Sequence, residues 1–204
     1  MKSARQEILD NLKNAVYNEP EKPDFDAPVY HPIEKPLELA FKESLEKVNG
    51  SVQLYRFEKE AFTELKSFLS SYAENSIFCN EDEIKAILSA YDISFSSAFN
   101  LPENIEVGIT GCEFLIAHTG SVMVSSAQKG GRQMFVYPPV HVVLAKKSQI
   151  VDYLEQAYSE IQKKYADNFP SQVTIITGPS RTADIEKTLI LGAHGPRELH
   201  VFIY

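Results

Sequence analysis

Cysteine is scarce: Cys79 and Cys112 are the only two in 204 residues, far apart and without a Cys-x-x-Cys pair. The chain therefore lacks the thiolates for an iron–sulfur cluster or a cysteine-built structural zinc site. Two isolated thiols read instead as buried side chains in a reducing compartment. Long apolar runs are absent as well, and no segment offers the roughly 20 apolar residues in a row that a membrane-spanning helix needs. The opening Met1-Lys-Ser-Ala-Arg-Gln-Glu-Ile8 is charged and amphipathic where a secretory signal is apolar, which points to the cytoplasm. Positive charge is outnumbered, with 20 Lys and Arg against 28 Asp and Glu for a net charge of −8. Interspersed cations in that minority exclude a broad nucleic-acid surface and leave a small molecule or a protein as the partner.

Familiar catalytic signatures are missing too. There is no Gly-x-Ser-x-Gly elbow, and the glycine-rich segments match neither the Walker nor the dinucleotide pattern. His118, His141, His194 and His200 have neither i, i+4 spacing nor cysteine neighbours, so no metal and no cofactor are assigned.

What is present describes an α/β protein with 44% hydrophobic residues. Ser3 and Gln6 form a capping box ahead of Ile8, Leu9, Leu12 and Val16 at helical spacing. Pro20, Pro23, Pro28, Pro32 and Pro36 then make an irregular tether, so residues 1–36 read as a helical arm. That arm either packs on its own body or joins two copies into a homo-oligomer. Residues 37–204 read as one α/β domain, with helices over 37–48, around Phe62-Leu65-Leu69-Tyr72, and over 81–90 and 148–166. Ser148 is the expected N-cap of the last of these, whose stripe is Val151, Leu154, Tyr158, Ile161 and Tyr165. Strands are expected over 52–57, 76–79, 107–110, 121–125, 140–145, 173–177 and 199–203.

Three glycine-punctuated polar segments carry the candidate chemistry. The first holds Thr110, Gly111 and Glu113, followed by Thr119, Gly120 and Ser121. The second is Lys129-Gly-Gly-Arg132, which reads equally as a solvated tip or as a clamp over a carboxylate or phosphate. The third runs Gly178-Pro-Ser180-Arg181-Thr182-Ala-Asp184-Ile-Glu186, after a β-branched run. A strand breaking at glycine and restarting as a helix would aim free N–H groups at an anion, with Ser180 or Thr182 as helix cap or ligand contact. Arg181 either binds that anion or pairs with Asp184 or Glu186. His194, between Gly192 and Gly195-Pro196, reads as an acid/base group or a structural anchor. In an open α/β sheet such loops are expected to converge on one ligand crevice.

Taken together, these segments with Pro138-Pro139-Val-His141 and Gly192-Ala-His-Gly-Pro196 resemble the lactate-utilization (LUD) family from about residue 37 to 204. The resemblance implies a three-layer fold of the NagB/RpiA/CoA-transferase class. It also implies a part in oxidising L-lactate to pyruvate beside two iron–sulfur partner proteins. This chain would then be a non-redox, substrate-handling subunit holding a small carboxylate or phosphate. The alternatives are an independent CoA-transferase-like or sugar-phosphate enzyme using Glu113 or Glu186, and a metabolite-binding scaffold. One departure stands out: family members often carry Ala-Glu-Thr-Gly-Thr where this chain has Ala117-His118-Thr119-Gly120-Ser121. The missing carboxylate leaves Glu113 and Glu186 as the acids near these loops.

Overall fold

The computed structural model describes residues 3–15, 22–23, 30–98, 100–182 and 190–204. The chain divides into two units, residues 1–32 and 33–204. In the first, helix α1 (Ala4–Asn14) starts where the capping pattern places it, with the Gln6 amide donating to Ser3 Oγ at 3.3 Å. Its Ile8, Leu9 and Leu12 are exposed.

The second unit runs α2 (Leu37–Lys47), β1 (Ser51–Leu54), α3 (Glu58–Leu69), β2 (Ile77–Cys79), α4 (Asp82–Ala90), β3 (Val107–Thr110), β4 (Phe114–Ile116) and β5 (Ser121–Ser125). It continues through β6 (Val140–Ala145), β7 (Ile150–Val151), α5 (Leu154–Lys164), β8 (Val173–Ile176), β9 (Arg181–Thr182), β10 (Ile190–Leu191) and β11 (Glu198–Ile203). Five strands form a parallel sheet in the order β1-β11-β6-β3-β2. Its central strand β6 is buried along its whole length, which is why Val-His-Val-Val-Leu-Ala is a nearly unbroken apolar run.

Alternation along the strands sorts the side chains into two cores. Val140, Val142 and Leu144 face Phe62, Leu65 and Leu69 of α3 and Ile84 and Leu88 of α4. Val143, with Leu199, Val201 and Ile203 of β11, faces Phe41 and Leu45 of α2. Helices thus cover both faces of the parallel sheet, in keeping with the expected α/β class. A second sheet, β7-β4-β5-β8, contributes Leu115, Val122 and Val124 to the α2 side. Its other face, Ile116, Met123 and Val151, lies under Ala157 and Ile161 of α5.

Two expectations are corrected. The helix over 148–166 begins only at Leu154, and Ser148 lies in a 3₁₀ turn, Lys147–Gln149, that leads into β7. Here strand pairing overrides helical spacing: Ile150 and Val151 pair with Leu115 and Ile116 of β4, and Val151 is buried. A helix beginning directly after Ser180 is also replaced, because Arg181 and Thr182 form β9, paired antiparallel with β10, while a helix capped by Thr182 would fall outside the described residues. Ser180 therefore caps no helix there. Asp184 and Glu186 lie outside the described residues.

Candidate active site

Four parallel strands end at one edge, and a residue within two positions of each strand's end lines a cleft there. Glu81 lies two positions past β2, Gly111 directly follows β3, Lys146 follows β6, and Tyr204 follows β11. These groups, with Glu113, Gln128 and Lys164, line a cleft of about 350 Å³. Such a crevice beyond the carboxyl ends of parallel strands is where open α/β sheets bind ligands.

Glu113 is the anchor of its floor. Its amide donates to the Met123 carbonyl at 2.8 Å, extending the β4–β5 ladder and turning the side chain inward, where it is 1% exposed. The carboxylate accepts from three donors. Ser125 Oγ reaches Oε1 at 2.6 Å and Tyr165 Oη reaches it at 3.0 Å, while Lys164 Nζ reaches Oε2 at 2.7 Å. Burial opposes the Lys164 charge, but the hydrogen bond and charge of Glu113 outweigh it and hold that ammonium above its usual range. Burial, together with Glu113, also pushes the Tyr165 phenol up.

Glu81 faces the same cleft under different constraints. Its Oε1 accepts the Gly111 amide at 3.0 Å, and Gln128 Nε2 approaches Oε2 at 3.4 Å. Burial raises its pKa, the hydrogen bonds from Gly111 and Gln128 oppose the rise, and the charges of Glu113 and Glu83 add to it. Asp82 beside it is the opposite case: hydrogen bonds from Lys129 and Lys85 pull it down to about 2. Lys146 makes no ion pair among the described residues. Cys112 also lines the cleft, its thiol pushed up by burial and then by the charges of Glu81 and Glu113.

The other sequence candidates are placed elsewhere. Thr110 is buried behind the cleft, donating to the Gly111 carbonyl at 2.9 Å and meeting His141 Nε2 at 2.8 Å. That arrangement makes Nε2 of His141 the donor and leaves its buried Nδ1 without a partner among the described residues. Thr119, Ser121 and Thr177 form a chain of hydroxyls with 2.7 Å links. Gly120, with φ +64°, brings that turn against the backbone of Ser44 and Leu45 in α2. Gly178 likewise abuts Val48, whose carbonyl also accepts from the Arg181 guanidinium. Residues 119–121 and 178–181 therefore do meet, but on the C-terminal half of α2, and neither lines the cleft around Glu113. Of Thr182, only its place in β9 is described.

Arg132 donates to Ser171 Oγ at 2.7 Å and lines a separate cavity of about 480 Å³ with Asn80 and Gly131, joined to the first through Lys129. His194 sits near Pro139 and Arg197, just ahead of β6 and β11, so it lies at the opposite edge of the parallel sheet from Glu113. Its amide reaches Ser180 Oγ at 3.4 Å, and the Ser180 amide donates to the Pro196 carbonyl at 2.8 Å. The expected convergence of all three glycine segments on one crevice is therefore not what these residues form.

Sequence reasoning overlooked Glu81, Ser125, Gln128, Lys146, Lys164, Tyr165 and Tyr204. A usable signal was present: Glu81, Lys146 and Tyr204 are polar or amphipathic residues within two positions of an apolar strand's end. Lys164 and Tyr165 were legible only as the end of a helix.

Comparison with known proteins fits this architecture. The model of the LUD domain matches residues 39–204. An uncharacterized protein of Neisseria meningitidis is 41% identical over 96 residues, 47% of this chain and 41% of that protein. Lactate utilization protein C of Bacillus licheniformis is 38% identical over 96 residues, covering 46% of this chain and 40% of its own. The matched stretch thus spans about two fifths of the length of these relatives. A DUF162 family protein from Deinococcus radiodurans superposes with a TM-score of 0.61 at 16% identity, over 82% of this chain and 95% of that one. That last likeness is one of fold.

Proposed function

The chain belongs to the LUD domain family, and from that premise we propose that it serves lactate utilization by binding a small hydroxy- or keto-carboxylate in the Glu81–Glu113–Lys164 cleft. The observation that carries this reading is the state of Glu113, a buried carboxylate held by Ser125, Tyr165 and Lys164 on the floor of an open cleft. Holding a charge in that position requires all three donors, and the result is a preorganised polar wall rather than a packed core. The name borne by the relatives supplies the metabolic setting.

Charge balance assigns the roles. Asp82 is neutralised by Lys85 and Lys129, and Glu113 by Lys164, so among the described residues lining the cleft Lys146 is the cation left to meet a ligand carboxylate. The first turn of α4 also opens on the cleft and adds the positive end of its dipole. Glu113, with both oxygens engaged as acceptors, orients Lys164 and Tyr165 toward the ligand and is not itself the nucleophile. In this reading the chain handles the substrate or product, and iron–sulfur subunits carry the electrons.

A strain deleted for this gene tests the proposal. Growth with L-lactate as sole carbon source should fail, return with the wild-type gene, and not return with Lys146→Ala or Glu113→Ala variants that accumulate normally. Undiminished growth of the deletion strain on L-lactate would refute the role.

A further inference from the structure

We propose that the cavity bounded by Lys129 and Arg132 is a phosphate-binding subsite, placed to take the phosphate of a ligand whose carboxylate end lies in the neighbouring cleft. The inference rests on the metabolite reading above for that carboxylate end and extends it to a substrate class, hydroxy- or keto-acids that also carry a phosphate.

Position comes first. Asn80 directly follows β2, so this cavity of about 480 Å³ opens at the same carboxyl edge of the parallel sheet as the cleft, and Lys129 lines both. Pockets of roughly 300–1,000 Å³ hold ligands of drug size. A cleft of about 350 Å³ with a larger chamber beside it therefore has room for far more than a three-carbon acid.

Charge then selects the group. Acids outnumber bases 28 to 20 in the whole chain, yet the described residues that line this cavity include Lys129 and Arg132 and no Asp or Glu. Glu81, Asp82, Glu83 and Glu113 line the cleft instead. Lys129 is tied to Asp82 on the cleft side. Arg132 forms no ion pair among the described residues, and its guanidinium donates to the neutral Ser171 hydroxyl at 2.7 Å. The rest of that planar fork is available, and it matches two phosphate oxygens at once. A phosphate group carries roughly −1.5 to −2 charge at neutral pH and three acceptor oxygens. Cations and amides reaching it from separate parts of the lining suit three oxygens better than the two of a second carboxylate.

The lining is partly fixed and partly free to donate. Ser96 is bridged to Phe78 of β2, while Asn80 Nδ2 donates to the Ala98 carbonyl at 3.0 Å and its Oδ1 takes the Ala98 amide at 3.2 Å. That wall is zipped to the sheet. Asn100 and Gln133 line the same cavity with carboxamides that make no side-chain hydrogen bond among the described residues. Ala98 and Leu101 add apolar surface for the carbon atoms of the ligand.

Calorimetric titration of the whole protein with pyruvate, inorganic phosphate and 3-phosphoglycerate, a 2-hydroxy acid with a phosphate on its last carbon, tests the subsite. The phosphorylated acid should bind at least about tenfold tighter than pyruvate, because one molecule then engages both chambers. Arg132→Ala should weaken it by about tenfold or more, the loss of a charged hydrogen bond, while Arg132→Lys restores part of the affinity and pyruvate binding stays unchanged. Inorganic phosphate should bind weakly and lose affinity in the same Arg132→Ala variant, whose circular dichroism should match the wild type. A phosphorylated acid that binds no tighter than pyruvate, or equally well in Arg132→Ala, would overturn the proposal, and persisting pyruvate binding would then leave the metabolite reading standing. Inorganic phosphate that binds tighter than 3-phosphoglycerate would assign the cavity to free phosphate and overturn the spanning ligand. Arg132-dependent binding of 3-phosphoglycerate in a protein that takes up no pyruvate upholds the subsite and refutes the metabolite reading.

Discussion

Gly120 packs backbone to backbone on Leu45: a Cβ on the glycine would lie 2.2 Å from the Leu45 amide nitrogen. With φ at +64° the position is also left-handed, which disfavours any L side chain by roughly 1–2 kcal/mol. Overlap with α2 adds roughly 1–3 kcal/mol. Gly120→Ala should therefore lose about 3 kcal/mol or more of stability in urea denaturation. A loss under about 0.5 kcal/mol, the range of ordinary surface changes, would show that this turn does not lock α2.

The Glu113–Lys164 pair predicts non-additive stability. Lys164→Met strands a buried carboxylate, but Tyr165 and Ser125 remain and the ammonium is half exposed, so the loss should be about 2 kcal/mol, below the range for fully buried pairs. Glu113→Gln should cost about 1–3 kcal/mol. The double variant should be less destabilised than the sum of the singles, as a double-mutant cycle in urea would read.

His141 predicts an acid limb of stability. Burial depresses its pKa from 6.5 to about 4, so the folded protein holds it neutral where the unfolded chain protonates it. The stability it contributes is complete above 6.5 and is lost as pH falls toward 4, amounting to about 3 kcal/mol. His141→Gln should lack that share of the pH dependence when urea midpoints are compared across the interval.

Both thiols should resist alkylation. Burial pushes Cys79 up to about 12 and raises Cys112 as well, so neither offers thiolate near neutral pH. Mass spectrometry after iodoacetamide at about pH 8 should show unmodified cysteines in the folded protein and two adducts in urea.

Much of the scaffold was legible because its strands are buried on both faces. The run Val140-His-Val-Val-Leu-Ala145 reads as a strand from its apolar, β-branched residues, and it is one, buried along its length at the centre of the parallel sheet. Ile150-Val151 was misread because a two-residue strand leaves no periodicity of its own, and only pairing with Leu115 and Ile116 reveals it. The site was legible in part. Gly111 and Glu113 stand out as glycine and acid after a strand, whereas Lys164 and Tyr165 reach Glu113 from 51 and 52 residues away, a proximity that local pattern does not encode. Gly120 and Gly178 misled in a physical way: glycines that admit a ligand and glycines that admit a helix backbone look alike in one dimension.

Titration calorimetry with pyruvate and L-lactate tests the central claim, that the cleft at the carboxyl edge of the parallel sheet holds the metabolite. Saturable binding should appear in the wild type, be lost in Lys146→Ala and Glu113→Ala, and survive in Arg132→Ala and His194→Ala, whose residues lie outside that cleft. Binding that survives the first pair and disappears with the second would contradict the account.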